Sequence, residues 1–239
     1  MDPTSWIVPD WPAPRSVHAA STTRAGGASR APFDTLNLGV RTGDDALSVT
    51  ENRERLIRGL ELPEMPRWLA QIHGPRVVRA ESIERDQTRA DASVTARAGL
   101  VCAVLTADCL PVLFCDASGT QIGAAHAGWR GLVAGILEQT VNAMDAPAAD
   151  LIAWLGPAIG PTAFEIGEDV YEAFRIADPG CEGCFVAGPP GRWHADLYAL
   201  ARRRLTAAGV GSVHGGGRCT HSESQHFFSH RRDGRTGRM

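Results

Sequence analysis

The chain has 239 residues, a formal net charge of −3 and 44% hydrophobic residues, which is ordinary for a globular protein with a full core and excludes fibrous and disordered classes. It contains no lysine, so its basic residues are all arginines and a mechanism through a lysine Schiff base is excluded. The N-terminal residues show no basic stretch followed by an apolar one, and no segment has the roughly 18 uninterrupted apolar residues of a membrane helix, so we expect a cytoplasmic protein without membrane partners.

The first predicted helix lies within residues 43–61. Apolar residues recur there at helical spacing, and the helix would present Asn52 and Arg53. Residues 100–106 form a short apolar run between polar ends, which predicts a buried strand.

The middle of the chain predicts a β-hairpin followed by alternating helices and strands. The hairpin strands, 111–115 and 121–125, are joined by a turn at 116–119. The later predicted elements are a helix over 132–141, a strand over 151–155, and helices over 169–174 and 197–208. Because hairpins are mixed with helices, the predicted fold class is α+β, a single domain over residues 1–239 built as a layered α/β sandwich with a mixed sheet.

Three apolar, strand-like segments each end on a residue type that binds soft metal ions, namely His73, Cys109 and His126. Each of the three lies near glycine or proline, where a strand end opens into a loop. Two imidazoles and one thiolate form a His₂Cys set, which binds zinc and leaves a fourth position open. The sequence therefore predicts a catalytic zinc site if the fold brings the three together, and copper is possible in the same set because it outranks zinc in intrinsic affinity.

Several ordered blocks of the sequence resemble one protein family. The blocks are Gln-Ile-His-Gly at 71–74, Thr-Ala-Asp-Cys-Leu-Pro-Val at 106–112, His-Ala-Gly-Trp-Arg-Gly at 126–131 and Gly-Pro-Ala-Ile-Gly at 156–160. Together they resemble the YfiH/YlmD family, long labelled laccase-domain or polyphenol oxidase proteins. The resemblance implies a layered sandwich similar to a group of cysteine hydrolases. It also implies a purine nucleoside phosphorylase with adenosine deaminase activity, for which adenosine, inosine and methylthioadenosine are the expected substrates.

The copper-oxidase label conflicts with the sequence. Multicopper sites need paired imidazoles, usually in His-x-His steps, and none of the eight histidines belongs to such a step. Laccase-type oxidation is therefore not expected.

Phosphorolysis needs a cationic pocket that holds phosphate. Arg53 is the first candidate because it matches the family's Asn-Arg segment, and Arg24 and Arg130 are the next. For each of the three, an ordinary structural or surface arginine is the alternative.

Deamination needs a carboxylate that moves protons, and the candidates are Asp108 beside Cys109, and Glu165. Either carboxylate could instead orient a ligating imidazole, and for Asp108 the two roles are equally open. Asn37 lies in a turn-like segment and could bind ribose or purine, or tie its own backbone in an Asx turn.

The main competing function is a cysteine hydrolase that edits peptidoglycan precursors, with Cys109 as nucleophile and His126 or His73 as base. A binding module that catalyses no reaction is the third candidate function, after the purine nucleoside enzyme and the cysteine hydrolase. Sequence does not separate these functions, because zinc ligation and nucleophilic attack both need the thiolate.

Other expectations concern partners and cysteines. Substrates are a purine nucleoside and phosphate, the protein is a monomer or weak homodimer, and the negative net charge argues against nucleic acid. The C-terminal arginines 231, 232, 235 and 238 are expected in a solvated tail or one folded back over the site. No disulfides are expected among the six cysteines, and the Cys-x-x-Cys at 181–184 is expected in a surface loop.

Overall fold

A mixed six-stranded sheet is the largest sheet in the computed structural model, which describes residues 6–239. The strands are β1 (Trp6–Ile7), β2 (Ser21–Thr22), β3 (Val77–Arg79), β4 (Ala92–Thr95), β5 (Leu110–Asp116), β6 (Ile122–Ala127), β7 (Leu151–Leu155), β8 (Glu165–Gly167), β9 (Phe185–Ala187), β10 (Arg192–Ala195) and β11 (Ser212–Gly215). The large sheet has the order β11-β7-β5-β6-β4-β3. Its outer pairs, β11 with β7 and β3 with β4, are parallel, and its inner pairs are antiparallel. The predicted mixed sheet and α+β class are confirmed.

Two smaller sheets and six α-helices complete the architecture. Strands β1 and β2 pair with each other, and β8, β10 and β9 form a three-stranded antiparallel sheet. The helices are α1 (Ala46–Gly59), α2 (Trp129–Val133), α3 (Ile136–Ala143), α4 (Glu168–Ala177), α5 (Leu197–Ala207) and α6 (His230–Asp233). Helix α1 begins at Asp45, whose side chain accepts a hydrogen bond from Ser48 N at 2.9 Å and so satisfies one of the free N–H groups of the first turn.

The alternation of side chains along β5 separates the two faces of the large sheet. Leu110, Val112 and Phe114 are buried in the main core with residues of α3 and α5. Pro111 and Leu113 point to the opposite face, where they line a cavity of about 500 Å³ under the N-terminal segment. Successive strand residues point to opposite faces, so the hairpin contributes to both layers of the sandwich.

Two predicted elements differ from the structure for local reasons. Residues 100–106 form no strand, and Cys102 makes only an isolated bridge with Arg67, because irregular segments rather than a neighbouring strand satisfy this backbone. The single helix predicted over 132–141 is broken into α2 and α3 at Gly135, whose φ of 87° is left-handed and ends a helix.

The surface-loop prediction for the Cys-x-x-Cys was wrong. Cys181 and Cys184 are 0% and 6% exposed and belong to the main core, because the 3₁₀ helix at Glu182–Cys184 packs against α5. All six cysteines are free thiols. Within residues 6–239, no helix combines the length and apolar character needed to cross a bilayer.

Tyr198 ties two loops together through its buried hydroxyl. The hydroxyl accepts a hydrogen bond from Ala158 N at 2.8 Å and donates to Arg218 O at 2.7 Å. We predict that Tyr198→Phe lowers the free energy of unfolding by about 1–3 kcal/mol, because the buried Ala158 N–H loses its acceptor. Urea denaturation measures this change.

The other tyrosine supplies the control. Tyr171 stacks on Trp193 with ring centroids 4.5 Å apart, and its hydroxyl has no hydrogen bond within the described chain. Tyr171→Phe should change the unfolding free energy by less than about 0.5 kcal/mol. Equal losses in the two variants would contradict the role assigned to the Tyr198 hydroxyl.

Candidate metal centre and its cavity

His73, Cys109 and His126 converge at one end of the large sheet. Each offers one ligand atom, and these atoms lie within 4.8 Å of one another. Antiparallel pairing of β5 with β6 places Pro111 opposite His126, so Cys109, just before β5, lies beside His126. His73 arrives from the loop before β3, and its ring meets the His126 ring edge to face at 4.8 Å between centroids.

The carboxylate of Asp91 positions both histidines. It is fully buried and accepts hydrogen bonds from the backbone N–H groups of Ile72, His73 and Gly74 at 3.1, 2.8 and 2.9 Å. It also accepts a bond from His126 Nδ1 at 2.9 Å, which leaves His126 Nε2 for the ligand-binding side. His73 has a left-handed φ of 60°, and its loop is held in this conformation by the three bonds to Asp91.

Gly128 makes the close approach of the three side chains possible. A Cβ at this position would lie 2.8 Å from Cys109 Sγ and 3.7 Å from a ring carbon of His73. Any larger residue would therefore push the sulfur out of the cluster. The Gly-Trp-Arg-Gly block that follows His126 thus has a steric role at the site.

The electrostatics of the cluster favour a thiolate. Burial raises the pKa of the Cys109 thiol, but the charge and hydrogen bond of His126, helped by a hydrogen bond from His73, outweigh burial and lower this pKa to about 6. Burial lowers the pKa of His126, but the charge of Cys109 and the bond to Asp91 outweigh it and raise this pKa to about 9. Without metal, the two residues therefore form a thiolate–imidazolium pair at neutral pH.

The donor set fits a divalent metal ion. A thiolate and two imidazoles are ligands of zinc and copper, and all three lie within reach of one central point. Binding requires neutral His126, so the ion would replace the proton that this imidazole holds in the metal-free pair.

The cluster opens into a cavity of about 370 Å³. The polar lining comes from four segments of the chain: residues 39–42, Gln71 with His73, Asp86, and the C-terminal pair His230 and Arg238. The apolar part of the lining is formed by Leu69, Leu105 and Ala107. The space has the size and mixed lining expected of a small-molecule site.

Asp108 lies next to the cluster but its carboxylate faces away from the cavity. It accepts hydrogen bonds from Thr220 Oγ1 at 2.6 Å, Ser229 Oγ at 3.0 Å and Arg231 N at 2.6 Å. These bonds hold the C-terminal segment to the residue before Cys109. The structure therefore assigns the orientation of the histidines to Asp91, and not to Asp108 as one sequence alternative had it.

Arg53 is buried behind the cavity wall. Its guanidinium binds both carboxylate oxygens of Asp86 at 2.7 and 2.9 Å, donates to Leu38 O at 3.0 Å and lies over the Trp68 ring. Arg53 does not line the cavity. Its donors are satisfied by protein groups, and it holds Asp86 in the wall.

The other predicted substrate-binding residues also lie outside the cavity lining. Arg24 binds Asp34 and Ser224 O, and buried Asn37 bonds to Thr42, Asp44 and the backbone of Gly39 and Arg238. The guanidinium of Arg130 is exposed and lies over the Trp129 ring. Glu165 is exposed in β8.

Four residues of the site were not predicted from the sequence: Asp91, Arg41, His230 and Arg238. The available signal for Asp91 was its position directly before the alternating apolar and polar residues at 92–95, because an aspartate at the buried end of a strand needs hydrogen-bond partners. For Arg238 the sequence left two alternatives open, a solvated tail or one folded back over the site, and the path of the C-terminal segment brings both His230 and Arg238 to the cavity. No feature of the nearby sequence distinguishes Arg41 from an ordinary surface arginine.

Known proteins are similar to this chain over nearly its whole length. Residues 18–239 match the family described as multi-copper polyphenol oxidoreductase laccase. The chain is 54% identical to a purine nucleoside phosphorylase of Pseudomonas aeruginosa over 98% of this chain and 96% of the relative. It is 51% identical to purine nucleoside phosphorylase YfiH of Escherichia coli, again over 98% of this chain and 96% of the relative.

Two solved structures have the same fold. A protein of Neisseria meningitidis superposes with a TM-score of 0.95 at 48% identity, covering 98% of this chain and 96% of that chain. YlmD from Geobacillus stearothermophilus superposes with a TM-score of 0.90 at 33% identity, covering 100% of this chain and 95% of that chain.

Removal of the Asp91 charge should weaken the metal centre. We predict that Asp91→Asn lowers metal affinity by about 10- to 100-fold, because neither histidine is then held in its ligating orientation. Metal affinity is measured by competition with a chromophoric chelator. The control is Asp116→Asn, because Asp116 is also a buried aspartate and accepts bonds from Thr120 N and Gln121 N in the β5–β6 turn. It should lower stability without changing metal affinity, and equal affinity losses in both variants would count against the role of Asp91.

The metal-free protein should titrate with an unusual thiolate. We predict that the ultraviolet thiolate absorbance of Cys109 has its midpoint at about pH 6, and that Cys109→Ser removes this transition. In His126→Gln the midpoint should rise, because the charge and hydrogen bond of His126 are lost and only His73 then opposes the effect of burial.

The same pair should give the metal-free protein a pH window of stability. The pKa of Cys109 is lower in the folded than in the unfolded state. Its contribution to the free energy of unfolding is therefore lost as pH falls through about 6. The pKa of His126 is higher in the folded than in the unfolded state. Its contribution to the free energy of unfolding is therefore lost as pH rises through about 9. In the ultraviolet titration, a thiolate midpoint that does not move in His126→Gln would refute the pairing of Cys109 with His126.

Proposed function

Because the chain belongs to the multi-copper polyphenol oxidoreductase laccase family, whose matched relatives are named purine nucleoside phosphorylases, we propose that it is an enzyme that cleaves purine nucleosides with phosphate. The observation that carries this proposal is the convergence of His73, Cys109 and His126 on a cavity that is also lined by Arg41 and Arg238. A purine nucleoside and a phosphate ion are the proposed substrates.

The reaction has a simple balance of bonds. A phosphate oxygen forms a bond to ribose C1′ while the bond from C1′ to the purine nitrogen breaks. The electron pair leaves on that nitrogen, the base takes up a proton, and the products are the free base and a sugar 1-phosphate. The enzyme must hold an anion and a neutral nucleoside side by side, and a polar cavity with an apolar wall can do both.

His73, Cys109 and His126 are the proposed metal ligands, and zinc is the proposed ion, with copper as the alternative. When bound, such an ion supplies Lewis acidity that polarises an oxygen atom or lowers the pKa of water. Asp91 orients the His126 imidazole and holds the backbone of the loop that carries His73, and Gly128 keeps space for the sulfur.

Adenosine deamination is the second proposed reaction of the same cavity. It requires a group that passes a proton to the purine and to the leaving ammonia. Asp108 is occupied by the C-terminal segment and Glu165 lies outside the cavity lining, so among the residues that line the cavity Asp86 supplies the carboxylate.

A specific observation favours one competing function. Cys109, His126 and Asp91 are connected in that order, with the sulfur in contact with an imidazole whose Nδ1 bonds to a buried carboxylate. This is the order of groups in cysteine hydrolases, and it would work without metal. Amide hydrolysis with Cys109 as nucleophile is therefore the second candidate.

The two candidates predict opposite responses to metal removal. We expect pure protein to release the base from adenosine, inosine or methylthioadenosine only when phosphate is present, and we expect chelation to abolish this release and zinc to restore it. Separation of bases, nucleosides and sugar phosphates measures the phosphorolysis, and ammonia release measures the deamination.

Cysteine variants complete this experiment. Cys109→Ser should lose bound metal and activity together, because a neutral hydroxyl replaces a thiolate. Cys219→Ser is the matched control, because Cys219 accepts a bond from Gly160 N and lies outside the cluster. Cleavage of a muropeptide precursor by chelated protein, with no base released, would replace the phosphorylase with the hydrolase.

A further inference from the structure

We propose that Arg238 and Arg41 form the oxyanion subsite that holds inorganic phosphate in the cavity. This inference rests on the proposed phosphorolysis and names the residues that bind its second substrate. Arg238 is the residue before the last in the chain, and Arg41 lies in the loop before α1. Both line the cavity that contains His73, Cys109 and His126.

The guanidinium of Arg238 is half-buried and only partly used by the protein. Its Nη1 donates to Thr236 O at 3.1 Å and to Gly237 O at 2.9 Å. Its Nε and Nη2 have no acceptor within residues 6–239, and no carboxylate there forms an ion pair with it. Burial lowers the pKa of Arg238, and the nearby charges of Cys109 and Asp108 only partly oppose this effect. A half-buried cation with free donors is a strong site for an anion.

Hydrogen bonds fix the backbone on both sides of Arg238, so the position of its side chain at the cavity is well defined. Arg238 N donates to Asn37 Oδ1 at 2.8 Å, and Arg238 O accepts from Leu38 N at 3.0 Å. Met239 exchanges two backbone hydrogen bonds with Thr106, each of 3.0 Å. The C-terminal residues are therefore paired on both sides, as a strand would be.

Gly39 makes room for the side chain of Arg238. A Cβ at Gly39 would lie 3.0 Å from Cγ and 3.2 Å from Cβ of Arg238. The arginine stem thus lies directly on the glycine backbone. Buried Asn37 holds both partners in place, because its Oδ1 accepts from Gly39 N at 3.0 Å as well as from Arg238 N.

Arg41 completes the subsite from the same loop. Its Nη2 donates to the backbone carbonyl of Asp86 at 2.6 Å, and its other donors have no acceptor within the described chain. The carboxylate of Asp86 does not compete for Arg41 or Arg238, because both of its oxygens are bound by Arg53. Arg53 therefore neutralises the acidic group of the cavity wall, and the two free arginines are left for a ligand.

Phosphate is the ligand that this arrangement suits. Planar guanidinium groups bind tetrahedral oxyanions through paired, charge-assisted hydrogen bonds. Because the chain has no lysine, arginine is the residue type that supplies its permanently charged side-chain cations. The oxyanion could come from inorganic phosphate or from the 5′-phosphate of a nucleotide. The two sources share this chemistry, and binding measurements separate them.

Kinetics of the metal-loaded enzyme test the subsite. In Arg238→Gln and Arg41→Gln, the KM for phosphate should rise by roughly 10- to 100-fold, because each loses charge-assisted bonds, while the KM for the nucleoside stays within about twofold. Arg235→Gln is the matched control. Arg235 belongs to the same C-terminal segment, but its guanidinium donates to Gly43 O at 2.7 Å and lies over the Phe33 ring, outside the cavity. Its KM for phosphate should stay at the wild-type value.

Calorimetry with inorganic phosphate and with adenosine 5′-phosphate gives a readout independent of turnover. Phosphate binding by the wild type and its loss in Arg238→Gln would support the subsite even if no nucleoside were cleaved, in which case only the proposed reaction would fail. Arg41 is exposed, so Arg41→Gln keeps the test valid if Arg238→Gln does not fold.

Two results would overturn the inference. One is phosphorolysis with an unchanged KM for phosphate in both arginine variants, which leaves the proposed function intact. The other is arginine-dependent binding of the nucleotide with none of inorganic phosphate, which assigns the arginines to a nucleotide substrate instead.

Discussion

The site depends on the fully buried carboxylate of Asp91. It accepts three backbone N–H groups of the loop that carries His73 and the Nδ1–H of His126, so it joins a loop and a strand that are far apart in sequence. A buried carboxylate without these partners would be costly, and the four bonds remove that cost while they fix the His126 ring and the backbone of the His73 loop. The position of the candidate metal centre is thus set by a residue that binds no metal itself.

Arginine performs every cationic role in this chain, and the structure divides these roles by the partners available. Arg24 and Arg53 are satisfied by carboxylates and carbonyls and serve the fold. Arg41 and Arg238 keep free donors beside the cavity. An arginine whose donors are all occupied cannot bind substrate without breaking existing bonds, and this is the physical reason for assigning phosphate to the second pair.

The family's description and the donor set of this chain point to different chemistry. Multicopper oxidation requires several copper ions held by paired imidazoles. Within residues 6–239 the structure shows one group of three potential ligands, two imidazoles and a thiolate. The structure therefore presents this one group beside a polar cavity, and not the paired imidazoles of a multicopper cluster.

The sequence determined the hairpin around residues 111–125, helices α1 and α5, and the three potential ligands, because these depend on local periodicity and on residue types at the ends of apolar runs. It did not determine which carboxylate orients the histidines or which arginines face the cavity. Asp108 and Arg53 looked suitable from their neighbours in the sequence, and tertiary contacts with Thr220 and Asp86 occupy them. For Arg238 the sequence left open a solvated tail or one folded back over the site, and the hydrogen bonds of its backbone to Leu38 and Asn37 place it beside the cavity. Hydrogen-bond partners are chosen across the whole chain, so only the folded structure decides which charged groups are already satisfied and which remain free for a substrate.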